Sequence, residues 1–325
     1  MRILIAGVAG FIGSHLSERL LSLGHEIVGI DCFLDYYPRW IKEENLAASL
    51  KNPRFHFLEA NLLDLDLEGL LREAEIVFHQ AAQAGVRASW GRQFDVYTRN
   101  NINATQKLLE AAKGAKLSRF IYASSSSVYG DSPRLPLRED GPLRPTSPYG
   151  VTKLAAENLC RLYYQAEKIP VVALRYFTVF GPRQRPDMAF HRFFRAIISG
   201  QELTLYGDGL QTRDFTYIED IIDANLLAME KGPAGEIYNI GGGANITLKE
   251  VLKSMETLTG KKTPINFLPR QKGDMLNTLA DISKAEKLLG YTPKIRLEEG
   301  FKHQWQWMQK FMIRAKERET NYAAK

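Results

Sequence analysis

Arg2-Ile3-Leu4-Ile5-Ala6-Gly7-Val8-Ala9-Gly10-Phe11-Ile12-Gly13 is the stretch from which the rest of the chain is read. A short apolar run runs straight into a glycine turn, and a helical pattern over 14–23 follows at once. Strand, glycine turn and helix in that order make a seat for a dinucleotide. The glycines let the backbone turn sharply and approach a pyrophosphate, whose charge meets the free N–H groups at the helix start, around Phe11 and Ile12. The spacing is Gly7-x-x-Gly10-x-x-Gly13, with one more residue between the first two glycines than the commoner fingerprint has.

A second strand over 26–30 ends at Asp31, placed to accept hydrogen bonds from the adenosine ribose hydroxyls and to repel a ribose phosphate. Cys32 and Phe33 follow with no adjacent Arg or Lys, so NAD is favoured over NADP. The alternation continues with strands over 55–58, 76–78 and 120–123, a helix near 65–72 and a long helix over 92–115. This pattern predicts an α/β fold with a doubly wound parallel (Rossmann) sheet. Loops after successive strands then gather at one edge. Asn61 and Leu62 fall near the adenine, Gln80, Ala81 and Ala82 beneath the pyrophosphate and nicotinamide, and the serines from Ser124 to Ser127 beside the reacting centre.

Ser147-Pro148-Tyr149-Gly150-Val151-Thr152-Lys153 reads as a helix start, with Ser147 as N-cap and Pro148 in the first turn. Tyr149 and Lys153 then lie one turn apart on one face, where an ammonium lowers the pKa of a phenol and suits it to proton transfer with an alcohol or ketone. Taken alone, Tyr-x-x-x-Lys is common. A strand over 171–176 and a turn-rich 182–187 end the regular repeats; shorter elements follow, including a helix over 190–199, a strand over 203–206 and a helix opened by the capping box Thr247-x-x-Glu250. The expected division is a dinucleotide-binding domain over 1–176, with segments around 210–242 returning to it, and a smaller α/β substrate lobe over 177–325.

With 325 residues, 45% of them hydrophobic, the chain is long enough to bury a substantial core. The formal charge of +6 is spread among acids, and its densest basic run, 310–318, sits in a polar helix beside Glu317 and Glu319, which argues against nucleic acid as a partner. The apolar stretch 3–12 carries two glycines and no cleavage site, and no segment is long enough to cross a bilayer. Two cysteines and six histidines form neither a disulfide framework nor a ligand cluster, so a cytoplasmic protein without a metal is expected.

Taken together, Gly7-x-x-Gly10-x-x-Gly13, Asp31, the cluster Tyr122-Ala123-Ser124-Ser125-Ser126-Ser127-Val128-Tyr129-Gly130, Tyr149-x-x-x-Lys153, Arg213-Asp214-Phe215 and Gly273-Asp274 resemble the extended short-chain dehydrogenase/reductase family over nearly the whole chain. The resemblance implies a tightly held NAD and a sugar nucleotide between two lobes. It implies that Ser125 hydrogen-bonds the sugar 4-OH, that Tyr149 is the base, and that Lys153 holds the nicotinamide ribose and lowers the Tyr149 pKa. Asn100 and Tyr176 would join the cofactor site. Arg87, Ala189 and Phe190 would line the substrate, Arg213 would hold the diphosphate and Tyr206 would wall the uracil. Arg270 stands one residue away from the arginine position of many relatives, which is Gln271 here. A homodimer through the helices over 92–115 and 149–166 is also implied.

Dehydratases of this kind carry Asp-Glu after the serine, and decarboxylases a Glu before the valine; this chain has Ser126 and Ser127, so epimerisation is expected. The stretch from Leu174 to Ala189, with Thr178 and Arg185-Pro186-Asp187-Met188, is similar to that of the UDP-glucuronate 4-epimerases, as is Gln83-Ala84-Gly85-Val86-Arg87. Once C4 of glucuronate is a ketone, the sugar is a β-keto acid that loses carbon dioxide when its C5–C6 bond aligns with the carbonyl π system. Arg185 offers a fork to hold the carboxylate out of that alignment, with hydroxyls of Thr178, Ser126 and Ser127 completing the grip. A UDP-glucose or UDP-N-acetylglucosamine epimerase uses the same machinery, and a non-catalytic NAD-binding protein is the remote alternative.

Overall fold

The computed structural model describes residues 1–323, with side chains through Arg318. β1 (Arg2–Ala6) is buried along almost its whole length, and its alternate residues feed opposite sides of the molecule: Ile3 and Ile5 join one apolar core, Leu4 and Ala6 the other. α1 (Phe11–Ser22) begins three residues before the start of the helical pattern because Gly10, in an extended conformation, takes the N-cap. β2 (Glu26–Asp31), α2 (Arg39–Leu46), β3 (Phe55–Glu59), α3 (Leu67–Arg72) and β4 (Ile76–His79) continue the alternation.

The long helix expected over 92–115 is broken into α4 (Phe94–Tyr97), a π-helical stretch (Thr98–Asn103) and α5 (Ala104–Ala112). The buried Asn101 side chain accepts from the Gln83 amide at 2.7 Å and donates to the Gln83 carbonyl at 3.0 Å and the Thr152 hydroxyl at 2.9 Å. Turning this amide onto the loop after β4 coincides with the widened helical turn, a local irregularity common beside functional sites. β5 (Arg119–Ser125), α6 (Pro148–Glu167) and β6 (Val171–Tyr176) complete the regular repeats.

The second half contributes β7 (Thr178–Phe180), α7 (Ala189–Ser199), β8 (Leu203–Tyr206), β9 (Thr212–Tyr217), α8 (Ile218–Lys231), β10 (Ile237–Ile240), β11 (Asn245–Thr247), α9 (Leu248–Thr259), β12 (Ile265–Leu268), α10 (Ser283–Leu289) and α11 (Leu297–Ala323). The described residues form a seven-stranded parallel sheet in the order β10-β6-β5-β4-β1-β2-β3. The small sheets β11-β9-β7 and β12-β8 lie outside it. Strand order reverses between β1 and β4, and the carboxyl ends of the two strands open the crevice where ligands of such sheets bind.

His79 closes β4 with no solvent exposure; its Nε2 pairs with the Thr105 hydroxyl at 2.8 Å, and its Nδ1 has no partner among the described residues. Burial, reinforced by the Lys153 charge, lowers its pKa from 6.5 to about 3. The unfolded chain therefore takes up a proton in that window while the folded one does not, so stability falls as pH drops through it and is unaffected above it. His15, hydrogen-bonded to the Pro182 carbonyl, acts in the same sense. Replacing His79 by Phe should remove about 1 kcal/mol per pH unit of that acid slope, read from urea unfolding at a series of acidic pH values.

Candidate active site

Two clefts meet at Tyr149. The first, of about 220 Å³, lies over the β1–β4 crevice. Its floor is Gly7, at φ +82°, where an added Cβ would stand 2.6 Å from the Ala81 nitrogen; one at Gly13 would stand 2.2 Å from the Gly7 carbonyl. Only glycine lets these backbones approach so closely. No side chain caps α1, so its first N–H groups are left for an acceptor. The Asp31 carboxylate accepts from Ala9 N at 3.0 Å and Phe33 N at 2.9 Å, and each oxygen keeps capacity for a ribose hydroxyl. Burial pushes its pKa up.

Every residue assigned to the dinucleotide from the sequence faces this cleft: the three glycines, Phe11, Ile12, Asp31, Asn61, Leu62, Gln80, Ala81, Ala82, Asn100, Tyr149, Lys153 and Tyr176. An uncapped helix start, a close-packed glycine floor and a carboxylate at the far end fit NAD. Lys42, remote from Asp31 in sequence, is brought beside it; its ammonium donates to the Leu34 carbonyl. Tyr36 and Tyr37 also line this cleft, and an aromatic pair just after the Asp31 loop was the only sign of them in the sequence.

Ser147 caps α6 by accepting from Gly150 N at 3.1 Å, with Pro148 opening the helix. Tyr149 and Lys153 consequently stand one turn apart, Tyr149 lining both clefts and Lys153 the first. The Lys153 ammonium lies 4.4 Å from the centroid of the Tyr122 ring, and burial lowers its pKa to about 8. Burial pushes the Tyr149 phenol up, and the Arg185 charge and a hydrogen bond with Ser125 oppose that rise. Lys153 lines the dinucleotide cleft, so the role expected of it toward Tyr149 and the nicotinamide ribose belongs with the bound cofactor.

The second cleft, of about 540 Å³, brings together Ser125, Ser126, Ser127, Tyr149, Thr178, Arg185, Ala189, Arg87, Tyr206 and Arg213. Ser125 Oγ accepts from Ser127 N at 3.1 Å, folding the serine run into a tight turn at the end of β5. Arg87 pairs with Asp274 at 2.7 Å and covers the Tyr206 ring, its guanidinium carbon 4.2 Å from the centroid. Arg213 donates to the carbonyls of Met275 at 2.6 Å and Leu276 at 3.0 Å. Arg270 pairs with Asp131 at 2.9 Å and lines an adjoining cavity beside Tyr206 and Arg213. Phe190 corrects the sequence reading: with no exposed surface, its ring sits 4.5 Å from that of Phe215 in the core. On α7 it occupies the inward side, whereas its neighbour Ala189 reaches the cleft.

The description NAD dependent epimerase/dehydratase family matches residues 3–241. The chain belongs to this family. It is 40% identical to a UDP-glucuronate 4-epimerase of Thermodesulfobacterium geofontis, covering 94% of this chain and 95% of that one. It is 46% identical to an uncharacterized UDP-glucose epimerase of Bacillus subtilis, covering 92% and 95% respectively. Among solved structures, UDP-glucuronic acid 4-epimerase from Bacillus cereus, in complex with UDP-glucuronic acid and NAD, superposes with a TM-score of 0.94 at 46% identity, covering 96% of this chain and all of that one.

Behind the serine turn of this epimerase-family site lies a buried ion pair that no local pattern announced. Arg175 on β6 donates to both carboxylate oxygens of Glu157 on α6, at 2.6 and 3.0 Å, and to the Tyr129 hydroxyl at 2.7 Å. Glu157 also accepts from Ser124 Oγ at 2.6 Å, and Tyr129 donates to Asn239 at 2.7 Å. The two charged side chains are 2% and 3% exposed, so removing either partner strands the other charge in the core. Glu157→Ala should cost about 3–5 kcal/mol in denaturant unfolding. Turnover should fall with it, because Ser124 and α6 lose their common anchor.

Proposed function

We propose that this chain interconverts UDP-glucuronate and UDP-galacturonate by inverting C4 through a transient 4-keto sugar. The observation that carries the reading is Arg185: it reaches both clefts beside Tyr149, in the company of Thr178, Ser126 and Ser127, and supplies a cation where a C6 carboxylate would lie. Positions 126 and 127 hold hydroxyls and not carboxylic acids, so the site has no extra acid there to drive elimination of water. Held in the first cleft, NAD supplies the acceptor and donor of the C4 hydride. Tyr149 moves the O4 proton, and Ser125 orients the hydroxyl as well as hydrogen-bonding the phenol. Arg213 and Arg87 offer charge to the diphosphate, and Tyr206 a ring to the base.

The Bacillus subtilis relative named as a UDP-glucose epimerase supports a second reading, in which the same machinery serves a neutral sugar. The division into an NAD-binding domain over 1–176, with segments around 210–242 returning to it, and a mainly substrate-binding lobe over 177–325 belongs to the same proposal. So do a cytoplasmic location and a homodimer built on α4, α5 and α6, whose exposed Phe94, Val151 and Leu162 suit a helical interface. Among the described residues, no helix is long and apolar enough to cross a membrane.

Incubation with UDP-glucuronate followed by product chromatography should yield UDP-galacturonate, while a strong preference for UDP-glucose would refute the carboxylate reading. Arg185→Ala should lower kcat/KM for UDP-glucuronate by roughly 100-fold, the loss of about 3 kcal/mol of charge-assisted hydrogen bonding. Its melting temperature should stay near that of the unmodified chain.

A further inference from the structure

The guanidinium that would grip the carboxylate already holds one. Arg185 Nε donates to Asp187 Oδ1 at 3.0 Å and Nη2 to Oδ2 at 3.1 Å, a two-point contact along the side-on edge. Nη1 has no hydrogen-bond partner among the described residues, so the end-on edge is the one left for a ligand. Asp187 is held in turn by Tyr36, whose hydroxyl donates to Oδ2 at 3.1 Å from the loop that follows Asp31. Burial works to raise the Asp187 pKa, but Arg185 and these hydrogen bonds prevail and keep it below its usual value, so the carboxylate is charged at neutral pH.

An ion pair two residues apart in a turn is ordinary in itself. This one is distinguished by its second holder 151 residues away and by its place, with Arg185 and Tyr36 lining both clefts and Asp187 the second. Arginine has several rotatable bonds and two usable edges. With the side-on edge occupied, both the plane and the reach of the remaining edge are set before substrate arrives.

We propose that Asp187 is a positioning residue that selects which edge of Arg185 meets the sugar carboxylate, and thereby the torsion about C5–C6 in the 4-keto intermediate. The inference rests on the glucuronate reading above. Held by the end-on edge, the carboxylate keeps the C5–C6 bond away from the C4 carbonyl π system. Without Asp187 the guanidinium turns and the bond enters alignment. C5–C6 then breaks, its electron pair passes into the C4–C5 enolate as carbon dioxide leaves, and C5 takes a proton from solvent to give a UDP-4-ketopentose. Tyr36 supports the same geometry one bond further out.

The test uses the full chain loaded with NAD and UDP-glucuronate, measuring released carbon dioxide and the share of decarboxylated to epimerised product by chromatography. Asp187→Asn and Asp187→Ala should raise that share by about tenfold or more, equivalent to about 1.4 kcal/mol between the two routes. Retained NAD and the melting temperature should stay unchanged, Asp187→Glu should recover part of the selectivity, and Tyr36→Phe should give a smaller rise. If both Asp187 variants epimerise UDP-glucuronate with the partition of the unmodified chain, the positioning role is overturned while the glucuronate reading stands. An unmodified chain that ignores UDP-glucuronate and turns over UDP-glucose overturns both.

Discussion

The carboxylate of Glu157 ties together the three elements on which the chemistry depends. It binds Arg175 from β6, Ser124 from β5, and sits on α6 two turns beyond Tyr149. A parallel sheet brings strand ends to one edge, but it does not by itself fix the rotation of a helix packed on that sheet. The ion pair does so, because a charge buried at this depth is tolerated only in the geometry that satisfies it. Ser125 and Tyr149 are thus registered against each other from behind, by a Glu157–Arg175 pair that lines neither cleft, and the hydroxyl pair is set before any ligand binds.

The electrostatics of Tyr149 link the two clefts. Burial makes its phenol a poor base, and in this structure relief comes from Arg185 and Ser125. Arg185 belongs to the segment between β7 and α7, outside the parallel repeats, so the group that would recognise the carboxylate also acts on the proton carrier. A carboxylate arriving at Arg185 neutralises part of that field at Tyr149. The remaining cation is Lys153, whose pKa of about 8 leaves it mostly protonated at neutral pH.

What was legible in the sequence was local. The glycine turn, Asp31 at the end of β2, the Ser147 cap and the Thr247–Glu250 capping box each depend on residues a few positions apart, and backbone sterics or a single hydrogen bond decides them. The π-helical stretch escaped because Asn101 answers to Gln83 and Thr152, the second of them 51 residues away. Phe190 was placed in the cleft because a stretch similar to a known one does not say which side of a helix a residue occupies. Glu157 was in principle readable as the next polar residue on the Tyr149–Lys153 face, but its partner Arg175 reads as one residue of an ordinary buried strand.

Selectivity among sugar nucleotides follows from this division. The sheet supplies cofactor cleft, base and serine turn, and these suit any reaction that begins by oxidising C4. Elimination, decarboxylation and epimerisation diverge only afterwards, according to which bond of the ketone is allowed to align with its π system. Ser126 and Ser127 place no acid there, which leaves the orientation of the substrate's own carboxylate as the deciding variable. In the proposed mechanism that orientation falls to a short segment holding Thr178, Arg185 and Asp187, braced through Tyr36 against the loop that follows Asp31. The loop that follows Asp31 and the Arg185–Asp187 pair are thereby joined, so on the proposed mechanism the outcome of the reaction depends on a contact that neither strand order nor the glycine turn determines.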